Sequence, residues 1–222
     1  MKASLIITAA GSGSRYDRNL NKLLEKISGI SVIERALNVY TETALFDEII
    51  ICTSSNFLEE IKSLTSHISH SKVILGGETR QQSVLNGLKE CSSPDFVAIA
   101  DAARPLTTKE MIIKALNLAK EKGSAICAVP AKDTIRRVDK NGRITDNINR
   151  EGLYNIQTPQ IFKYKDILEA HIKFQGENAT DDSYLFQKSG HDVFISEGSY
   201  QNIKITTKED ILFAEILLND KK

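Results

Sequence analysis

Leu5-Ile6-Ile7-Thr8-Ala9-Ala10-Gly11-Ser12-Gly13-Ser14-Arg15, with Lys22 close behind, is the stretch on which the fold class turns. An apolar run of strand type enters a loop of small residues, and two spaced cations follow. Small residues let backbone N–H groups approach a polyphosphate closely, and cations then compensate its charge. The loop is neither a P-loop, which ends in Gly-Lys-Ser/Thr, nor a dinucleotide fingerprint, which needs a third glycine at fixed spacing. Arg15 and Lys22 stand where a P-loop has its lysine. The same residues also fit an ordinary glycine-rich turn from strand to helix.

Outward from this loop, hydrophobic periodicity predicts strands near 4–9, 47–53, 72–75, 96–100 and 125–129, with helices near 32–42, 56–65, 80–90 and 108–121. Glu48-Ile49-Ile50-Ile51-Cys52-Thr53 reads as a strand buried on both faces. Strands alternating with helices predict a parallel sheet with right-handed crossovers. The expected architecture is α/β: a Rossmann-like, mostly parallel sheet with helices on both faces. Ligands of such sheets collect at the carboxyl ends of the strands. The unusual loops, 9–15, 76–83 and 101–105, all follow strands.

After Pro130 the pattern changes. Residues 133–138 alternate polar and apolar, Asp139-Lys140-Asn141-Gly142 is a turn, and 143–148 extend again, which predicts a β-hairpin. A hairpin alone in water is marginal, so the arm at about 132–150 is expected to pack on a second copy of the chain. Beyond it come an extended segment at 154–157, helices near 164–174 and 181–188, a strand near 192–196 and a helix near 208–219. One domain over residues 1–222 is expected, with the arm as an appendage.

The 222 residues carry 29 Lys plus Arg and 29 Asp plus Glu, a balance that argues against a nucleic-acid binder relying on a general positive field. No run is long and apolar enough to span a bilayer and no leader pattern opens the chain, so a cytoplasmic location is expected. Three cysteines at unrelated spacings imply no disulfide framework; Cys52 and Cys127 sit in apolar strand-like runs and Cys91 near a helix end. His67, His70, His171 and His191 show no metal-ligand spacing and read as structural or surface residues.

Five further segments carry chemistry. Asp101-Ala102-Ala103-Arg104-Pro105 sets a carboxylate and a guanidinium at a strand's carboxyl end, fit to hold a metal-bound phosphate and a second anion, or to form a local ion pair. Gly76-Gly77-Glu78-Thr79-Arg80-Gln81-Gln82-Ser83 offers close backbone approach before a helix, and equally a plain turn with an N-cap. Thr158-Pro159-Gln160 places a hydroxyl just past an extended segment, and Asn178-Ala179-Thr180-Asp181-Asp182 reads as an N-cap with acids in the first turn. Asn202-Ile203-Lys204-Ile205-Thr206 is expected to bury alternate residues and present Lys204 on the other face.

Taken in order, these motifs, with Asp133-Thr134 and Arg150-Glu151-Gly152-Leu153-Tyr154, resemble the 2-C-methyl-D-erythritol 4-phosphate cytidylyltransferase family over nearly the whole chain. The resemblance implies joining of CTP to a polyol phosphate in the non-mevalonate isoprenoid pathway, with Mg²⁺ as cofactor and a homodimer built through the arm. It implies that Ala9, Ala10, Gly11 and Gly13 lie along CTP, with Gly77, Glu78, Ser83 and Ala102 also on the nucleotide. It makes Arg15 and Lys22 the cations that stabilise the triphosphate during transfer, and Arg150 and Lys204 those that hold the attacking phosphate. Asp101, Arg104, Thr134, Thr158 and Thr180 fall around the methylerythritol phosphate, with Thr134 and Arg150 reaching it across the dimer. Asp101 is the expected metal ligand. Two departures stand out: Asn21 where the family usually has proline, and Glu78 where an aspartate is common. Ribitol-5-phosphate cytidylyltransferases share most of these motifs but tend to show Asp-Ala-Val-Arg-Pro and Gly-Gln-Thr-Pro-Gln, where this chain has 101–105 and Asn155-Ile156-Gln157-Thr158. A catalytically silent nucleotide-binding scaffold on the same fold is the rival of another class.

Overall fold

Apolar side chains on both faces of β1 (Ala3–Ala9) bury it in mid-sheet, as its unbroken hydrophobic run requires. The computed structural model describes residues 1–10, 22–177 and 179–219. Gly11, Gly13 and Arg15 of the expected site therefore lie outside the described residues, as do Asn21 and Asn178. In chain order the remaining strands are β2 (Lys26–Ile27), β3 (Ile30–Ser31), β4 (Glu48–Thr53), β5 (Ser71–Leu75), β6 (Phe96–Asp101), β7 (Ser124–Pro130), β8 (Ile135–Val138), β9 (Ile144–Ile148), β10 (Tyr154–Lys163) and β11 (Ile195–Glu197). The helices are α1 (Val32–Thr41), α2 (Leu58–Thr65), α3 (Arg80–Glu90), α4 (Lys109–Lys122), α5 (Tyr164–Lys173), α6 (Asp182–Lys188) and α7 (Lys208–Asn219).

The main sheet runs β11-β7-β10-β6-β1-β4-β5. β1 pairs parallel with both β4 and β6, β4 pairs parallel with β5, and β7 parallel with β11. The sheet is mostly parallel, as expected, and β10 is its antiparallel member, running against β6 and β7. The reason is topological: between β7 and β10 the chain makes only the hairpin arm, and a parallel return needs a crossover long enough to span the sheet face. β10 is also longer than the expected 154–157, since it continues through Thr158 and Pro159 with a register shift between Ile156 and Gln160. Thr158 thus sits inside a strand and not beyond one. β11 starts later than expected, and the first turn of the predicted helix at 56–65 is a short 3-10 turn, Ser55–Phe57.

Alternate residues of β1 feed two cores. Leu5, Ile7 and Ala9 join Leu37, Ile112 and Ala214 on one face, while Ile6 joins Val84, Ile167 and Phe186 on the other. Helices thus cover both faces. Their starts are capped as their sequences suggest: Ser31 and Glu34 make a reciprocal capping box on α1, and Thr79, Thr108 and Asp181 accept from the first turns of α3, α4 and α6. The three cysteines are buried and unlinked, and burial pushes their thiols up to about 12, as suits packing residues.

β8 and β9 form a separate two-stranded sheet, the expected arm, with most of its side chains exposed. Among the described residues, no helix is long and apolar enough to cross a membrane.

Candidate active site

The strand order reverses beside β1, with β4 and β5 on one side and β6 on the other, so the crevice beyond the carboxyl ends of β1 and β6 is the place for a ligand. The two ends are tied together: Ala102 N donates to Thr8 O at 3.1 Å, and Thr8 Oγ1 donates to Asp101 Oδ1 at 3.3 Å. On the β4 side, the Gly76–Gly77 turn packs on Ala10. A side chain at Gly76 would meet Ala10 Cβ at 2.5 Å and Ser83 Oγ at 2.8 Å, which is why glycine stands there. Ser83 is buried, its hydroxyl accepting from Gly77 N at 3.0 Å and donating to Thr79 O at 2.9 Å. Ala9, Ala10, Gly77, Glu78, Ser83 and Ala102 thus come to one end of the sheet.

Asp101 is the centre of the crevice and is 7% exposed. Its Oδ2 lies 2.8 Å from Lys204 Nζ and 3.7 Å from Arg104 Nε; its Oδ1 lies 3.4 Å from Arg80 Nε. Its backbone N–H donates to Thr158 Oγ1 at 3.1 Å. Burial alone would raise the carboxyl's pKa, but Arg80, Lys204 and Arg104 together hold it well below the usual carboxylate range. Arg104 is locked from the other side, Nη1 donating to Asn202 O at 2.6 Å and Nη2 to Ile156 O at 3.5 Å. The local ion pair of the Asp-Ala-Ala-Arg motif therefore exists, within a larger cluster. Asn202 joins it to β10 by donating to Thr158 O at 3.0 Å, and Ile205 N reaches Ala103 O at 2.8 Å. Asn202 and Ile205 are the buried members of their segment, three apart, so the expected strict alternation does not hold, although Lys204 does face the crevice.

A cavity of about 400 Å³ opens here, with Arg80, Asp101, Arg104 and Lys204 on one wall and Thr180, Asp181, Ser183 and Tyr184 on the other. Gln160 braces the second wall: its Nε2 donates to Asp181 Oδ2 at 2.9 Å, and its Oε1 accepts from Ser183 N at 3.1 Å. Behind the wall, Asp182 is buried between Arg80, whose Nη2 lies 2.7 Å from Asp182 Oδ2, and His171, whose Nε2 lies 3.1 Å from Oδ1.

Asp101, Arg104, Thr158, Thr180 and Lys204 are thus brought together as expected. Lys22 comes to the same sheet edge by another route, its Nζ donating to Ile205 O at 2.9 Å, next to Lys204. Thr134 and Arg150 are not among this chain's cavity residues. Both are exposed at the root of the arm, where Arg150 Nη1 donates to Lys132 O. Asp101, the expected metal ligand, has both its oxygens facing cations here: Lys204 and Arg104 at Oδ2 and Arg80 at Oδ1. Sequence reasoning gave Arg80 and Asp182 no role in the site. The available signal was Arg80's position at the first residue of α3, where the helix dipole disfavours a cation that has no anionic partner.

A family model described as 2-C-methyl-D-erythritol 4-phosphate cytidylyltransferase matches residues 3–220. A curated protein of that name from Clostridium acetobutylicum is 41% identical over 219 residues, covering 96% of each chain. Another from Clostridium tetani is 40% identical, covering 96% of this chain and 89% of its own. The solved structure of 4-diphosphocytidyl-2C-methyl-D-erythritol synthase from Anaerococcus prevotii superposes with a TM-score of 0.86 at 33% identity, covering 98% of both chains.

Proposed function

The chain belongs to the 2-C-methyl-D-erythritol 4-phosphate cytidylyltransferase family, and we propose that its crevice joins CTP to methylerythritol phosphate, giving 4-diphosphocytidyl-methylerythritol and pyrophosphate. The observation that carries this reading is the Asp101 cluster: one carboxylate among three cations, in a cavity otherwise lined by hydroxyls, amides, Ile156 and a second carboxylate, Asp181, so that cations outnumber carboxylates three to two. Excess positive charge suits a phosphate, and Asp101, Gln160 and Thr180 suit the hydroxyls of a polyol. Ala9 and Ala10, at the carboxyl end of β1, lie at the same end of the sheet, and the triphosphate is assigned to that end.

The chemistry follows from charge. A phosphate monoester has a second pKa of about 6, so the nucleophile is largely dianionic at neutral pH and needs no general base. Its oxygen bonds to the α-phosphorus of CTP as the bond to the pyrophosphate oxygen breaks, and the electron pair leaves with pyrophosphate. The protein must overcome repulsion between two anions and stabilise the charge that develops, which is electrostatic positioning. Arg15 and Lys22 act on the triphosphate, while Lys204 and a partner subunit's copy of Arg150 hold the nucleophile in line. Mg²⁺, when bound, would supply further compensation of the triphosphate charge beside Arg15 and Lys22. A homodimer through the arm and a cytoplasmic location, where both phosphorylated reactants are found, complete the proposal.

The test is CTP-dependent pyrophosphate release. Methylerythritol phosphate with CTP is expected to be the preferred pair, since backbone carbonyls at the 76–83 turn can accept from the exocyclic amine that distinguishes cytosine from uracil. Equal or greater turnover with ribitol phosphate or with UTP sinks the assignment, and no turnover with any pair favours a silent scaffold.

A further inference from the structure

Arg80 links two buried carboxylates on different elements. Its Nε lies 3.4 Å from Asp101 at the end of β6, and its Nη2 lies 2.7 Å from Asp182 at the start of α6. The Asp182 contact is close in charge but not aligned as a hydrogen bond. An acid in the first turn of a helix ordinarily points to solvent, where the dipole already favours it. Asp182 is instead 1% exposed, and His171, itself fully buried, meets its other oxygen at 3.1 Å. Because a carboxylate accepts only, Nε2 of His171 is the donor, which leaves buried Nδ1 without a partner among the described residues. Burying an acid, an imidazole and half a guanidinium in this way opposes folding unless each is well paired. Local capping explains none of it, since Asp181 already caps α6.

What the arrangement does fix is the distance between the two walls of the cavity. Asp101 lies on one wall, and Thr180, Asp181 and Ser183, from and beside the first turn of α6, lie on the other. Arg80 is the strut between them, and His171 anchors the far end of the strut. Resting on the substrate reading above, we infer that Asp182 and His171 are positioning residues: they hold Arg80 so that both walls of the polyol-phosphate subsite keep their spacing. Their effect on catalysis runs through Arg80. Burial would raise the Asp182 carboxyl's pKa, but Arg80 and His171 outweigh it and keep the acid ionised, as a strut end must be.

The experiment separates the two substrates in steady-state kinetics of the full chain. Asp182→Asn keeps the shape and removes the charge. It is expected to raise KM for methylerythritol phosphate about tenfold or more, the scale of small misplacements in a positioned site, while KM for CTP stays within about twofold. His171→Gln is expected to shift the same constant in the same direction by less. The double variant Arg80→Gln/Asp182→Asn is expected to be no worse than its worse single parent, because one strut cannot be lost twice. If Asp182→Asn does not accumulate as folded protein, Arg80→Lys carries the comparison, since lysine keeps the charge but lacks the fork that reaches both acids. Equal rises in both KM values, unchanged KM values, or additive losses in the double variant overturn the inference. A wild-type chain that does not turn over methylerythritol phosphate overturns the substrate reading instead, so the two failures are distinguishable.

Discussion

Asp101 and the hairpin arm stand at opposite ends of how thoroughly one chain can specify a structure. Onto Asp101 converge Thr8 of β1, Arg80 of α3, Arg104 of the following loop, Thr158 of β10 and Lys204 near the carboxyl end. Five segments far apart in sequence agree on one residue, four of them on its carboxylate and Thr158 on its backbone N–H. The arm has no such support. Among the described residues β8 and β9 pair only with each other, and Val138 and Ile144 are 52% and 63% exposed. At its root, Tyr200 Oη donates to Pro130 O at 2.7 Å and Lys132 lies over the Tyr200 ring, so the arm is aimed but not covered. A region complete in itself is suited to bind, while a region that is ordered but uncovered is suited to be completed by another surface.

The strongest way to break this comparison is to ask whether the two regions serve one active site. Lys204→Ala and Arg150→Ala are each expected to cost on the order of a hundredfold in kcat/KM, the scale of losing one charge-stabilising contact. If Arg150 serves the partner's cavity, mixing the two inactive chains leaves one intact site in each mixed dimer. Random pairing then recovers about a quarter of wild-type activity. No recovery on mixing, or full activity in a monomer, shows that the arm does not belong to the site.

Stability should divide along the same line. Ile99, fully buried in β6 beneath Asp101, is expected to cost about 2–5 kcal/mol when cut back to alanine, because the packed sheet face cannot collapse around the loss. Val138→Ser in the arm is expected to stay within about 0.5 kcal/mol in denaturant unfolding of the single chain. It should nonetheless weaken self-association, read by sedimentation at falling concentration. An arm substitution that unfolds the chain as Ile99→Ala does would erase the distinction.

The same contrast explains what could be read from sequence. β1, β4 and β6 announce themselves because central strands are apolar on both faces, and Asp101 and Arg104 stand out as charges at the end of β6, while Lys204 stands out in its own segment, 202–206. β10 was legible only to Gln157, since Thr158, Pro159 and Gln160 interrupt the apolar run with residues that serve the crevice. Its antiparallel sense was in principle readable from the missing helix between β7 and β10. Arg80 and Asp182 were hidden for a different reason: Asp182 reads as an ordinary first-turn acid, the misfit of a cation at the start of α3 does not name its partner, and only their distance in the fold shows the strut. A metal role for Asp101 looked reasonable from one carboxylate at a strand end. The sequence does not reveal that Arg80 and Lys204 join Arg104 around the same carboxylate.

The smallest expected effect gives the sharpest view of the arm. Gly142 turns the hairpin at φ +82°, and a methyl group there would meet nothing within 4 Å. Gly142→Ala therefore tests backbone strain alone, about 1 kcal/mol for a left-handed residue with a Cβ. Asp139 holds the turn through Asn141 N at 2.9 Å and Arg143 N at 3.0 Å, so the strain cannot be shed without opening it. Because β8 and β9 pair with no other strand among the described residues, that opening should be local. Amides of 135–148 are expected to exchange about fivefold faster while those of β1 and β6 are unchanged. Protection of the arm should also rise with protein concentration, since docking on a partner adds its binding free energy to the cost of opening. Exchange that is independent of concentration across the range of dimer formation, or a loss of protection shared by β6, would show that the arm is not the region awaiting a partner.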